Sequence, residues 1–257
     1  MVRGLYTAYT GMVNEQNRLD IIANNLANAA TVGFKEDNST SQSFDDLLTI
    51  KIRDGSEPIN NRAIGTMSLG VKMGESYTDY KQGSLRQTAN NYDLALEGDG
   101  FFTLSVTDKA GNVSTNYTRN GSFTMTKDGH IVDDDGNYLM GESGVIVVPT
   151  DAADVVVDQT GTVFADGVLV DKIKITDFQD YNYLSKIDDT MYRALDGAVE
   201  KTSNSSIQQG YTEQSNVNVV SEMIDMISVT RAYEANQKAI KTVDQTLELA
   251  VSSVGRV

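Results

Sequence analysis

His130 is the sole histidine of this chain, and cysteine is absent. A Ser–His relay would have to run through His130, and a zinc site of the usual Cys/His donors cannot be built. His130 follows Asp128-Gly129, a turn pair, and reads as a surface histidine rather than a base. Carboxylates are plentiful, yet no stretch sets two of them in a recognisable acid–base pair of the kind that cleaves glycosidic bonds. Glu97-Gly98-Asp99-Gly100-Phe101-Phe102 carries a Gly-x-Gly, but it lacks a third glycine and a following helix. Its acids also sit where a phosphate would go, so it reads as a turn or bulge feeding a strand. Asp133-Asp134-Asp135-Gly136-Asn137 superficially suggests a calcium loop. The acids run consecutively instead of alternating, and no glutamate follows at the required distance, so a solvated hairpin turn is the better reading. Twelve tyrosines and no tryptophan are scattered and give no stacking platform. No catalytic residue, cofactor or metal is expected, and no enzyme.

The totals narrow the partners. Net charge is −15 and the isoelectric point is near 4.4. Such a surface repels phosphate backbones, so nucleic acid is not an expected partner. The longest aliphatic run, Val145-Ile146-Val147-Val148, is far too short to span a bilayer. The N-terminal residues hold no apolar stretch with a small-residue cleavage site, so export, if it occurs, is expected to use no cleaved signal. Without cysteine there are no disulfides.

What must position the chain's functional residues is a pair of helical ends. Leu5, Tyr9, Met12, Gln16, Leu19, Ala23 and Leu26 step by 4 and 3, a heptad seam. Gly4, Ala8 and Gly11 form a second row, small enough for a neighbouring backbone to approach closely. The helix is expected to stop near Asn28 to Thr31, with Gly33 free to take positive φ. At the other end Met223, Met226, Thr230, Tyr233, Gln237, Ile240, Asp244 and Leu247 repeat the 3–4 spacing. Asn218 suits an N-cap, and Glu222 lies near the positive end of the helix dipole. Thr230, Gln237 and Asp244 spoil this second seam, because an unpaired Asp on a dry seam costs on the order of several kcal/mol.

Between the ends, residues 34–75 read as extended or loop, with a short helix allowed over Phe44 to Ile50 and turn formers at Gly55, Pro58, Gly65 and Gly70. From there to about residue 200 the period switches to two. Ala110-Gly111-Asn112, Asn120-Gly121, Asp128-Gly129, Asp135-Gly136-Asn137 and Asp166-Gly167 mark hairpin turns. The predicted fold is α+β. Helices over 1–33 and 217–257 pair as a coiled-coil-like domain. An antiparallel all-β domain over 76–200 is inserted between them, and 201–216 is a return connection. Neither helix has a core of its own, and isolated helices are marginal in water, so other chains are expected to complete the seams.

The motifs at both ends and in the middle resemble one family. Leu5-Tyr6-Thr7-Ala8, Gly11-Met12, Ile22-Ala23-Asn24-Asn25-Leu26-Ala27-Asn28 and Gly33-Phe34-Lys35 resemble the N-terminal signature of the flagellar rod and hook proteins. Ser215-Asn216-Val217-Asn218 and Arg231-Ala232-Tyr233-Glu234-Ala235-Asn236 resemble its C-terminal signature. Gln82-Gly83-Ser84-Leu85 and Tyr117-Thr118-Arg119-x-Gly121-x-Phe123 look like the core of its β domain, and the Gly65 to Thr88 region is most similar to the distal rod type. The resemblance implies a structural subunit that assembles helically with copies of itself and other rod or hook proteins. It implies export by the flagellar type III apparatus, torque transmission and a hollow shaft. The expected interface joins the two seams to Asn24, Asn25, Asn28 and Arg231, with Gly4, Ala8 and Gly11 packed closely. The alternatives are an extracellular β-domain binding module on a helical stalk, or a cell-wall glycan hydrolase.

Overall fold

The computed structural model describes residues 2–52, 61–107, 111–152 and 154–254. The chain divides into two compact units: Met1–Leu26, Asp37–Thr78 and Val219–Val257 form one, and Ala27–Glu36 and Asp79–Asn218 form the other. The first holds the helices α1 (Val2–Ala27) and α2 (Val219–Val254). The second holds the β core. The return connection expected over 201–216 is part of this β unit, because Ser206–Gln209 pairs with Leu94–Glu97 and Tyr211–Glu213 with Leu85–Gln87.

The described residues of 37–78 are largely extended and paired, and Phe44 lies in no helix. Asp37–Ser43 pairs antiparallel with Val71–Thr78, and Leu47–Ile52 with Asn61–Met67. The alternation that marks a half-buried strand is missing from the polar Asp37–Ser43, whose residues are half-buried or exposed, so a period-two reading passes over it. Gly55, Pro58 and Ala110 lie outside the described residues.

In the β unit the central strand Phe101–Thr107 is buried on both faces. Phe102 and Leu104 point into an aliphatic core with Leu94, Leu96, Phe123, Ile131, Leu139 and Ile146. Phe101 points the other way, into an aromatic core with Tyr117, Phe178 and Tyr192, flanked by Tyr80 and Tyr181. Tyr80 meets Phe101 edge-on at 5.9 Å, and Tyr117 meets Phe178 edge-on at 4.9 Å, the geometry aromatic quadrupoles favour. Four tyrosines scattered in sequence are thus gathered into a core.

Most turn signals hold. Asp128-Gly129 joins the paired strands Phe123–Met125 and Ile131–Asp133. Asp166 and Gly167 both have positive φ, 49° and 81°, as a type I′ turn requires. Asn120-Gly121 is the exception. Val113–Thr118 and Phe123–Met125 do not pair, and three strands separate them in the sheet. Gly121 is needed for another reason: its amide carbonyl accepts from Leu94 N at 2.9 Å, and a Cβ there would collide with the Leu94 carbonyl.

The acidic turn is only partly solvated. Asp133 is 2 % exposed and accepts from the Asp134 amide at 2.7 Å and from Asn120 Nδ2 at 3.3 Å. Burial, with Asp134 and Asp135 alongside, pushes its carboxyl from 3.8 up to about 6. A carboxyl whose pKa is raised on folding binds its proton in the folded chain and not in the unfolded one, between about pH 4 and 6. Its contribution is therefore fully present at low pH and is lost as pH climbs through 6, to the extent of ~3 kcal/mol. Asp133→Asn is expected to flatten this part of the profile and to raise stability at pH 7.5, read as urea midpoints of the two proteins between pH 4.5 and 7.5. Parallel profiles would remove Asp133 from the explanation.

Candidate assembly interface

Two contacts fix how α1 and α2 run. Asn25 Nδ2 donates to Glu222 Oε2 at 3.4 Å. At Gly11, a Cβ would stand 3.0 Å from Asn236 Nδ2. Moving 14 residues down one helix means moving 14 up the other, so the helices are antiparallel and the two contacts lie about 21 Å apart at 1.5 Å per residue. Gly11 faces α2 closely, whereas a Cβ at Gly4 would meet nothing within 4 Å.

The covered face of α2 is one residue off the row read from sequence. Met226, Tyr233, Ile240 and Leu247 are half-buried, as the seam requires. Their companions are Glu222, Val229, Asn236, Val243 and Ala250, all buried or half-buried, and not Met223, Thr230, Gln237 and Asp244, which are exposed along with Arg231. Thr230, Gln237 and Asp244 therefore lie outside the seam within one chain. Thr230 Oγ1 donates to the Met226 carbonyl one turn back, at 2.7 Å, and needs no partner on another helix.

On α1, Leu5, Ala8, Met12, Leu19 and Leu26 are half-buried, while Tyr9 and Asn24 are exposed. The most buried positions are Thr10, Asn14, Ile22 and Asn25. Three of these four are polar: Thr10 Oγ1 donates to the Thr7 carbonyl of its own helix at 3.0 Å, and the other two meet the strand Asp37–Ser43. Asn14 Nδ2 donates to Ser41 Oγ at 3.1 Å. Asn25 Oδ1 accepts from Asp37 N at 3.0 Å and its Nδ2 donates to Asp37 O at 2.9 Å, so the amide serves as a strand partner. Asn28 lies past the helix, in the β unit, where Thr31 Oγ1 donates to its Oδ1 at 3.0 Å.

Two apolar stripes remain uncovered in the single chain. Val220, Met223, Ile224 and Ile227 follow i, i+3, i+4, i+7 on α2 and are 48–67 % exposed. Tyr6, Tyr9 and Val13, at i, i+3 and i+7 on α1, are 37–52 % exposed. Exposed apolar rows of this kind mark interaction surfaces.

The β unit holds a feature that periodicity does not announce. Lys35 and Glu213 are 1 % exposed and 2.6 Å apart, and Arg119, 3 % exposed, reaches the other Glu213 oxygen at 3.2 Å. Glu213 Oε1 also accepts from Gly83 N at 2.9 Å, and the Glu213 carbonyl from Gly33 N at 2.8 Å. Lys35 Nζ donates onward to the Lys81 carbonyl at 2.7 Å, and Arg119 to the Gly98 carbonyl at 2.8 Å. Burial pushes the Lys35 ammonium below its ordinary value, against the raising pull of Glu213. Gly33 has φ 71°, and a Cβ there would collide with the Asn120 amide. The Gly98 turn thus presents its carbonyl to Arg119.

Family models match three stretches: the flagella basal body rod protein model over residues 5–35, the flagellar hook protein FlgE/F/G D1 domain over 95–165, and the flagellar basal body rod FlgEFG protein C-terminal model over 208–252. The flagellar basal-body rod protein FlgG of Bacillus subtilis is 33% identical, across 98% of this chain and 99% of the relative. The chain belongs to the flagellar basal-body rod protein family. FlgG of Agrobacterium fabrum is also 33% identical, and FlgF of Caulobacter vibrioides is 31% identical across the whole of this chain. The chain is a structural rod subunit of the distal type, and its place is the flagellum, in assembly with other rod and hook proteins. The comparisons support neither a binding module on a stalk nor a glycan hydrolase.

Membership also gives the motifs a physical reading. Gly33-Phe34-Lys35, Gln82-Gly83 and Tyr117-Thr118-Arg119 are far apart in sequence and meet at Glu213. Glu213 itself belongs to none of the quoted motifs. Its one local signal is an acid at the end of a strand, Tyr211–Glu213, which nothing distinguishes from the other 35 acids in the chain.

Proposed function

We propose that this subunit builds the rod by covering its uncovered helical stripes with the helices of neighbouring subunits. One observation carries the reading: apolar rows on both helices stand in solvent in the single chain, and among the described residues both core clusters lie in the other unit. In the assembly, the antiparallel pair of α1 and α2 becomes part of a coiled-coil-like bundle. Leu5, Met12, Leu19, Leu26, Met226, Tyr233, Ile240 and Leu247 lie in or beside the intrachain face. Tyr9, Met223, Thr230, Arg231, Gln237 and Asp244 point to neighbours. Head-to-tail contacts of this kind generate open helical assemblies, here a hollow shaft that carries torque to the hook and lets exported subunits pass. The subunit works outside the cytoplasm. The type III apparatus exports it without cleaving a signal, and it performs no catalysis.

Close packing of the helices is testable at Gly11. Gly11→Leu puts a branched side chain where Asn236 stands. The expected result is loss of incorporation into rods, scored as loss of swimming, with the near-UV circular dichroism of the aromatic β core unchanged. Normal swimming with Gly11→Leu would mean that the helices do not need this approach.

A further inference from the structure

The β unit is entered and left by chain arms that run to the other unit, at residues 26/27, 36/37, 78/79 and 218/219. Two of those arms leave from the same end of one short ribbon. Leu85–Gln87 pairs with Tyr211–Glu213 in the register Leu85↔Glu213, and Gln214 N donates to the Ser84 carbonyl at 2.9 Å. Beyond that last ladder bond one strand runs on toward Asp79 and the other toward Asn218, the two points where the arms leave the unit. Tension between those arms opens an antiparallel ribbon from its end. The ladder bonds lie across the strands, so they break one at a time instead of sharing the load. A ribbon loaded this way is weak unless its mouth is held.

The buried charges stand at that mouth. We propose that Glu213, with Lys35 and Arg119, is a mechanical latch that keeps the β unit from being unzipped when its arms are pulled. The carboxylate of the last paired residue holds Gly83 N on the opposite strand, Lys35 on a third segment and Arg119 on the core sheet. Two further links cross the same gap. Asn216 Nδ2 donates to the Asp79 carbonyl at 2.8 Å, and Asn216 Oδ1 accepts from Glu36 N at 2.8 Å. Asp79 N in turn donates to the Glu36 carbonyl at 2.8 Å. Opening the mouth therefore strips a buried carboxylate from two cations before any ladder bond beyond it is loaded. The need for such a latch rests on the rod reading, since a shaft subunit is loaded through its arms.

The chain has no cysteine, so a single-molecule pulling experiment can place handles at will. Ser76→Cys and Ser228→Cys are exposed sites that load the arms at 78/79 and 218/219 of the intact monomer. Release of residues 79–218 gives the long extension step. Lys35→Met and Glu213→Gln are expected to lower the force of that step by roughly twofold, since latch bonds to charged groups exceed single ladder bonds. Val163→Ala is the control: it is buried in the separate sheet of Val155–Val157, Thr162–Ala165 and Val168–Lys172, and it should lower melting temperature while leaving the force in place. An unchanged force in the latch variants, or an equal fall in the control, overturns the proposal. The wild type gives a second reading: the amides of Gly33 and Gly83 should exchange as slowly as that of Leu104, and fast exchange overturns it too. Monomers are pulled singly, so a chain that fails to build rods would refute the rod reading while leaving this result standing.

Discussion

Glu213→Leu should destabilise the β unit by about 3–5 kcal/mol, the usual consequence of removing one partner from a buried ion pair. The carboxylate answers both Lys35 and Arg119, so its loss leaves two buried cations without a counter-charge, and it leaves Gly83 N without its acceptor. Lys35→Met should cost less, because Glu213 keeps Arg119 and Gly83 N. Combining the two changes should fall short of the sum of the single losses by about 0.5–3 kcal/mol, the range measured for residues in one network. Urea unfolding followed by tyrosine fluorescence checks all three proteins. Additive losses, or a Glu213→Leu loss below that of Lys35→Met, would show that the three charges do not act as a unit.

The second large effect belongs to assembly. Ile224→Asp combined with Ile227→Asp alters two side chains that the single chain leaves exposed, so the monomer should melt as the wild type does. In a rod each isoleucine that is covered contributes about 1.5–3 kcal/mol through removal from water. Each carboxylate put in its place meets a desolvation penalty of several kcal/mol. Because every subunit repeats the contact, the expected outcome is a non-swimming cell with normal amounts of folded subunit, checked by swimming assays and immunoblots. Normal swimming would place the stripe on an outer surface of the shaft.

The sequence was informative where local chemistry decides the structure. The two long helices, the period-two middle and most of the hairpin turns follow from side-chain spacing and from the residues that tolerate positive φ. The α2 seam shows a finer limit. Met226, Tyr233, Ile240 and Leu247 belong to two overlapping heptad rows, one completed by Thr230, Gln237 and Asp244, the other by Val229, Asn236, Val243 and Ala250. The second is the more apolar, so the signal for the covered face was present. Asn120-Gly121 departs from the hairpin expectation for a different reason: there glycine answers a close approach by the Leu94 carbonyl. Residues 37–43 and the Lys35–Glu213–Arg119 cluster depend on partners remote in sequence. Ser41 meets Asn14 of α1 and the Asp37 backbone meets Asn25, and Glu213 becomes special only when three distant segments converge on it. Asp133 is similar, since nothing in a run of three aspartates tells which one folding buries.

The most direct measurement is electron cryomicroscopy of rods isolated from cells in which this chain supplies the subunit. The rod assignment predicts a helical array with this chain in the wall, and with Val220, Met223, Ile224 and Ile227 of α2 and Tyr6, Tyr9 and Val13 of α1 packed against helices of neighbouring subunits. A rod wall lacking this chain, or one in which those two stripes face solvent, would contradict it.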